Sequence, residues 1–227
     1  MSASTTGAVE GSPVEEGALL WEPSEERRAS ANVTRYLVWL KETRGLGFSS
    51  YEDLWRWSVT DLEAFWGSIW EFCDVRASTA PTTVLRDRRV PGAGWFDGAE
   101  LNYAEHALRR RDDHPALLST GEEGPVSRLS HGDIARRVAS VATELRRLGV
   151  GKGDRVVAYL PNIPEALIAF LATASIGAIW SACSPDFGAV SVVDRFRQIE
   201  PTALFAVDGY RYGGKPFDRR PAVAQIR

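Results

Sequence analysis

The sequence predicts an α/β protein, in which a helical N-terminal extension precedes the first half of a doubly wound, mostly parallel sheet. Between Asp154 and Asp208, short apolar runs alternate with helix-length segments, which is the pattern of βαβ units. The runs do not alternate strictly between apolar and polar residues, as is typical of strands with helices on both faces. Upstream of residue 77, segments of helical periodicity carry six of the 8 tryptophans.

The composition argues against several classes of partner. Hydrophobic residues make up 44% of the chain and charged residues 25%, which is enough apolar material for a core. The net charge of -3 gives no indication of binding to nucleic acid or to an anionic membrane surface. No run approaches the ~18 apolar residues of a membrane-spanning helix, and residues 1–20 lack a signal-peptide pattern. We therefore expect a cytoplasmic protein without a nucleic-acid or membrane partner.

The two cysteines, Cys73 and Cys183, do not have the spacing of a metal-binding pair. We expect two buried, reduced thiols and no disulfide. The three histidines also lack ligand spacing, so the sequence predicts no metal site.

The N-terminal region is predicted to contain a flexible tail over residues 1–20 and a helical extension over residues 21–76. The tail is rich in Ser, Thr, Gly and Glu. In the extension, Ser24 can cap a first helix, and apolar residues at helical spacing continue to Gly45.

Two further helix starts are expected in the extension. One lies at Ser50, and the other lies at Thr60, where Glu63 completes the pattern of a capping box. The last helix carries an apolar stripe that is expected to be a packing surface and not a ligand site: Leu62, Phe65, Trp66, Ile69 and Trp70.

Residues 77–98 are rich in proline and glycine and are predicted to form a connector. The large domain is expected to occupy residues 99–227. It should begin with a helix over residues 101–110 and a hairpin that pairs residues 116–119 with residues 126–129.

An amphipathic helix is predicted to begin at Ser130, with Asp133 in its first turn, and to end at Gly149. Its arginines lie mostly off the apolar face, so we expect them to be solvated: Arg136, Arg137, Arg146 and Arg147.

The βαβ region should then contribute strands and helices in alternation. Pro164 is placed for the first turn of a helix that ends at Gly177, and Pro201 should end the next helix, over residues 190–200. Three apolar runs are the expected parallel strands: residues 155–160, 178–182 and 203–207.

Motifs alone do not identify a catalytic residue. Residues 149–154 are rich in glycine, but they lack the spacing of a phosphate-binding loop and precede a strand instead of following one. Neither a dinucleotide fingerprint after a strand nor a nucleophile elbow is present.

Several segments carry a resemblance to a known family. Residues 153–165 and 174–181 resemble the N-terminal part of the acyl-adenylate-forming superfamily, which includes acyl-CoA synthetases and luciferases. Within it, Cys183-Ser-Pro-Asp-Phe-Gly188 and residues 194–201 are similar to the acetoacetyl-CoA synthetase group. The tryptophan-rich extension and residues 95–103 are similar to the extension of that group.

This resemblance implies an ATP-dependent ligase that joins acetoacetate to coenzyme A through an acyl-adenylate. The implied small-molecule partners are acetoacetate, ATP and coenzyme A, with Mg²⁺ for the ATP chemistry. The family's phosphate-binding loop, its magnesium ligand and its catalytic lysine belong to later sequence. Residues 221–227 read as an interrupted helix. We therefore expect an N-terminal part of a longer enzyme that is inactive without the missing C-terminal part of the same polypeptide.

The resemblance also suggests contacts to coenzyme A. Gly209-Tyr-Arg-Tyr-Gly-Gly-Lys215 resembles the family segment that contacts the phosphates of coenzyme A. On this resemblance, Arg211 is a candidate for a phosphate contact, and Lys215 is a weaker candidate. The turn with Pro185, Asp186 and Phe187 corresponds to a region near the pantetheine tunnel of acetyl-CoA synthetases. For Arg211 and Lys215, a solvated loop after a strand is the alternative interpretation.

Two alternatives to an acetoacetate ligase stay open at this point. The chain could derive from another short-chain acyl-CoA synthetase, such as an acetyl-CoA synthetase. It could also be a stand-alone, non-catalytic α/β module that binds a nucleotide or a partner protein.

Overall fold

The computed structural model describes residues 15–122 and 124–227. The chain divides after Asp74 into two compact units. The predicted tail falls largely on residues 1–14, which lie outside the described residues.

The first unit contains four helices that begin and end largely as the local sequence predicts. Ser24 caps the first helix, Ser50 caps the third, and Gly45 ends the second with a positive φ of 67°. The helices are α1 (Glu25–Ser30), α2 (Asn32–Arg44), α3 (Tyr51–Thr60) and α4 (Leu62–Phe72).

Two boundaries in this unit differ from the prediction. The helix expected from Ser24 to Gly45 is interrupted at Ala31, which is extended, and the hydroxyl of Thr34 donates to the carbonyl of Arg28 at 2.6 Å. The N-cap of α4 is Asp61 and not Thr60, because Thr60 still belongs to α3.

The core of the first unit is formed by Tyr36, Leu40 and Leu54. Phe65 and Ile69 of the predicted stripe pack against this core. Trp66 is 40% exposed, and its ring contacts that of Phe65 edge-on, with 5.3 Å between the ring centroids.

The second unit begins with small antiparallel pairs. The residues predicted as a connector include β1 (Thr83–Leu85) and β2 (Trp95–Asp97), which pair with each other. The helix predicted over residues 101–110 is shorter in the structure, where it is α5 (Tyr103–Ala107). Asn102 is its N-cap, and Leu108 is its C-cap. The predicted hairpin is confirmed as β3 (Pro115–Ser119) and β4 (Ser127–Ser130).

A three-stranded parallel sheet forms the centre of the second unit, with β5 (Arg155–Tyr159) between β6 (Ile179–Cys183) and β7 (Ala203–Ala206). The predicted parallel strands are therefore confirmed. The helices around it are α6 (His131–Arg147), α7 (Pro164–Ser175) and α8 (Ala189–Arg197). A second hairpin and a short helix follow: β8 (Gly209–Tyr212), β9 (Lys215–Asp218) and α9 (Arg220–Ile226).

The two faces of β5 support separate cores, as a doubly wound sheet requires. Val156 packs with residues of α6 and α7, whereas Val157 and Tyr159 pack with Val192 of α8. Residues Val156 through Tyr159 are all at most 1% exposed, which explains the absence of polar alternation in this strand.

The two cysteines differ in environment. Cys183 is buried at the end of β6, but Cys73 is exposed, so the prediction of two buried thiols is wrong for Cys73. Cys73 follows Phe72 as the C-cap residue of α4. Among the described residues, no helix is both long and apolar enough to cross a bilayer.

Candidate functional site

The predicted site residues lie in two segments that follow β6 and β7, the two strands that flank β5 in the parallel sheet. The turn at residues 184–188 comes directly after β6, and the hairpin of β8 and β9 comes shortly after β7. Because carboxyl ends of parallel strands meet at one edge, both segments leave from the edge where open α/β sheets bind ligands.

Tyr159, the last residue of β5, holds the turn after β6 in place. Its side chain is fully buried, and its hydroxyl is shared between the carbonyl oxygens of Pro185 at 2.8 Å and Phe187 at 2.9 Å. Burial raises the pKa of Tyr159, so the hydroxyl remains a hydrogen-bond donor. The turn is thus anchored through its backbone.

Asp186 links this turn to the hairpin. One carboxylate oxygen accepts from the hydroxyl of Tyr210, and the other accepts from the hydroxyl of Ser184 at 2.9 Å. These two hydrogen bonds, that of Tyr210 first, and the charge of Arg219 lower the pKa of Asp186. The turn and the hairpin therefore form one polar assembly around an ionised carboxylate.

Arg219 completes this assembly from the C-terminal end of the hairpin. Its guanidinium donates to the hydroxyl of Tyr210 at 2.8 Å and lies over the rings of Tyr210 and Phe217, 5.1 and 5.6 Å from their centroids. The hydrogen bond to Tyr210 raises the pKa of Arg219. Its buried Nε has no hydrogen-bond acceptor among the described residues.

The three predicted turn residues are not equally accessible. Asp186 and Phe187 are exposed, and the guanidinium of Arg195 lies 4.8 Å from the centroid of the Phe187 ring. Pro185 is fully buried. A ligand at this turn could therefore reach the side chains of Asp186 and Phe187, but not that of Pro185.

The hairpin exposes both predicted basic residues but directs them differently. In its register Arg211 pairs with Pro216, and Tyr212 pairs with Lys215. Since neighbouring pairs of a ladder point to opposite faces, Arg211 and Lys215 leave the hairpin on opposite sides. Arg211 lines a groove of about 510 Å³ together with Asp218 and Arg220.

Glu122 is part of this site, although sequence reasoning did not identify it. Its two carboxylate oxygens accept from the backbone N–H groups of Gly213 at 2.6 Å and Gly214 at 2.9 Å. These hydrogen bonds, that of Gly214 first, and the charge of Arg211 lower the pKa of Glu122. The contact joins residues 91 and 92 positions apart, so no local pattern could have indicated it.

A second concavity lies at the ends of β5 and β7. It has a volume of about 450 Å³ and a largely apolar lining that includes Leu160, Ile163, Phe205 and Val207. Arg137 and Glu165 contribute its charged groups.

The described residues contain no cluster of three or more His, Cys, Asp or Glu side chains that could hold a metal ion. His114 and His131 stack on each other, and His106 accepts from the backbone N–H of Arg76 at 3.0 Å. Neither arrangement places a histidine beside Asp186 or Arg211. The polar side chains at the turn instead contact one another, in the series Arg219, Tyr210 and Asp186.

Comparison with known proteins agrees with the resemblance seen in the sequence. The family model described as AMP-binding enzyme matches residues 104–226, and the model described as acetyl-coenzyme A synthetase N-terminus matches residues 51–107. The acetoacetyl-coenzyme A synthetase of Rhizobium meliloti is 40% identical over 88% of this chain, and that of Macaca fascicularis is 38% identical over 92%.

A solved structure gives the same result. The acetoacetyl-CoA synthetase from Streptomyces lividans superimposes with a TM-score of 0.84 and 53% identity over 91% of this chain. The chain spans about a third of these relatives, 31% of each of the two sequences and 33% of the solved structure. The predicted similarity to acetoacetyl-CoA synthetases and the predicted acyl-adenylate-forming fold are confirmed, and the chain belongs to the family of AMP-binding enzymes.

Proposed function

We propose that this chain is the N-terminal part of an ATP-dependent ligase that converts acetoacetate, ATP and coenzyme A into acetoacetyl-CoA, AMP and pyrophosphate. The observation that carries the proposal is the similarity to acetoacetyl-CoA synthetases along most of the chain. In the first half-reaction, an acetoacetate oxygen attacks the α-phosphorus of ATP and releases pyrophosphate. In the second, the thiol of coenzyme A attacks the acyl carbonyl, loses its proton and releases AMP.

The contribution of these residues is a scaffold and part of the coenzyme A entrance. Arg211 is exposed on β8 beside a groove, where its guanidinium suits a phosphate through paired N–H donors. Lys215 leaves the opposite face of the hairpin, so it is suited to a different part of the ligand or to solvent. Asp186 and Phe187 would line the approach of the pantetheine arm, with Pro185 shaping the turn from inside.

The adenylation step requires groups that this sequence does not contain. A Ser/Thr/Gly-rich loop ending in Pro-Lys, which holds the ATP phosphates in the family, is absent from the sequence. The described residues also offer no cluster for Mg²⁺, so no step through the metal is assigned to them. We therefore propose that the 227 residues bind coenzyme A weakly and do not catalyse either half-reaction by themselves.

The test compares the affinities of the chain and of two variants for coenzyme A by isothermal titration calorimetry. Arg211→Ala should weaken coenzyme A binding by about tenfold, the loss expected for one charge-assisted contact to phosphate. Arg89→Ala, which changes an Arg side chain that is 77% exposed, is the matched control and should leave the affinity unchanged. Equal affinities of Arg211→Ala and the unchanged chain would refute the assignment of Arg211.

A second measurement addresses the reaction itself. Acetoacetate-dependent exchange between ATP and pyrophosphate should be absent from the 227-residue chain. Exchange above the background of a heat-treated sample would show that these residues suffice for adenylation, contrary to the proposal.

A further inference from the structure

The turn between β8 and β9 already binds an anion, which is the carboxylate of Glu122. Two consecutive backbone N–H groups, those of Gly213 and Gly214, converge on the two oxygens of one side chain. Both glycines have positive φ angles, 58° and 73°, which orient the amides of a two-residue hairpin turn outward and which other residues rarely adopt. Successive amides of this kind form a concave site for an oxyanion.

The charge around the turn favours the same kind of ligand. Arg211 lies on the strand that leads into the turn, and its guanidinium donates to the carbonyl of Gly214 at 3.2 Å. Its positive charge acts on Glu122 together with the two amide dipoles. An anion at the turn is therefore stabilised by two hydrogen bonds and by a nearby cation.

Glu122 reaches this site through its side chain. It is an exposed residue of the turn between β3 and β4, which is distant in sequence from the hairpin. A carboxylate and a phosphate both present two oxygens to paired donors, but a phosphate carries more charge. A phosphorylated ligand can thus use the same two amides once the carboxylate has moved away.

We propose that Glu122 is an internal competitor at the Gly213–Gly214 turn, and that the phosphate of a ligand reaches these two amides only by displacing the Glu122 carboxylate. The inference rests on the proposed function in one respect, which is that the natural source of the phosphate is coenzyme A. The competition itself concerns only the turn and Glu122.

The experiment follows the backbone amide resonances of Gly213 and Gly214 by NMR while inorganic phosphate is added to the full chain. Glu122→Gln keeps the size of the side chain and removes its charge. It should tighten phosphate binding at these two amides by about fivefold, which corresponds to a carboxylate that occupies the turn in about four-fifths of the molecules. Glu63→Gln, at an exposed position of α4, makes the same change of charge and should leave the phosphate affinity unchanged.

Two results would overturn the inference. One is an equal or weaker phosphate affinity in Glu122→Gln, which would make Glu122 a support of the turn and not a competitor. The other is a phosphate response that does not include the amides of Gly213 and Gly214.

A parallel titration with coenzyme A separates this inference from the proposed function. If Glu122→Gln binds phosphate more tightly as expected, but coenzyme A does not shift the amide resonances of either glycine, the competition by Glu122 is supported and the assignment of the phosphate to coenzyme A is wrong. If coenzyme A binds through Arg211 while Glu122→Gln has no effect on either ligand, the proposed function stands and the competition by Glu122 is wrong.

Discussion

At the scale of single residues, the hydroxyl of Tyr210 sets the direction of a short chain of hydrogen bonds. Arg219 can only donate, and an ionised Asp186 can only accept, so the hydroxyl must accept from Arg219 and donate to Asp186. The order of the three groups therefore favours the ionised form of Asp186. This is the contact that joins the turn after β6 to the hairpin.

Replacement of Tyr210 by Phe is predicted to raise the pKa of Asp186 toward its ordinary value, because the hydrogen bond from Tyr210 is the largest cause of the lowered pKa. Because the pKa of Asp186 is lowered in the folded state, its ionised carboxylate stabilises the fold fully above the unfolded-state pKa of about 3.9. This stabilisation is lost as the pH falls through the folded-state pKa. The measurement is a pH titration of the carboxyl carbon of Asp186 by NMR.

Tyr212→Phe is the control for this titration, because Tyr212 lies on the same strand and is 70% exposed. It should leave the pKa of Asp186 unchanged. A lowered pKa that persists in Tyr210→Phe would show that Ser184 and Arg219 suffice to hold the carboxylate.

At the scale of elements, α6 shows how local sequence determines a helix start. The hydroxyl of Ser130 accepts from the backbone N–H of Asp133 at 3.0 Å, and the carboxylate of Asp133 accepts from the backbone N–H of Ser130 at 3.0 Å. This capping box satisfies amides that have no partner within the helix. The buried face of α6 then contributes Val138, Ala142 and Leu145 to the larger core.

Ser130→Ala is predicted to lower the free energy of unfolding by about 1 kcal/mol, because one side of the capping box is lost. Urea unfolding followed by circular dichroism measures this change. Ser140→Ala is the matched control on the exposed part of the same helix, where alanine favours the helix and no loss is expected. Equal effects of the two substitutions would contradict a role of the cap in stability.

At the scale of the whole molecule, the parallel sheet separates two cores that do not share residues. Val138 of α6 belongs to the core on one face of β5, and Val192 of α8 belongs to the core on the other face. Both side chains are at most 2% exposed. Packing changes on one face should therefore have little effect on the packing of the other.

Val138→Ala and Val192→Ala are each predicted to lower the free energy of unfolding by about 2 kcal/mol, from two buried methyl groups and the cavity that remains. In the double variant the two losses should add to within about 0.5 kcal/mol, as for sites without shared partners. Urea unfolding of the single and double variants gives the interaction energy. A value above about 1 kcal/mol would show that the two cores are coupled through β5.

The local sequence was sufficient to predict the βαβ elements and most helix starts. Apolar periodicity, caps such as Ser24 and Ser130, and the stop at Gly177 all act over a few residues, so they can be read directly. One error occurred where two local patterns overlapped. Thr60 and Asp61 both suit an N-cap, and the choice between them depended on where α3 ended.

The sequence by itself determined the class of fold, the order of the strands and helices around the parallel sheet, and the family, because each of these depends on local periodicity or on a linear pattern. Only the tertiary structure placed β5 between β6 and β7 and showed that Cys73 is exposed. It also brought Glu122 to the Gly213–Gly214 turn and Asp186 to Tyr210. These contacts join segments far apart in the chain, and their formation depends on the packing of the whole unit, which no local pattern encodes.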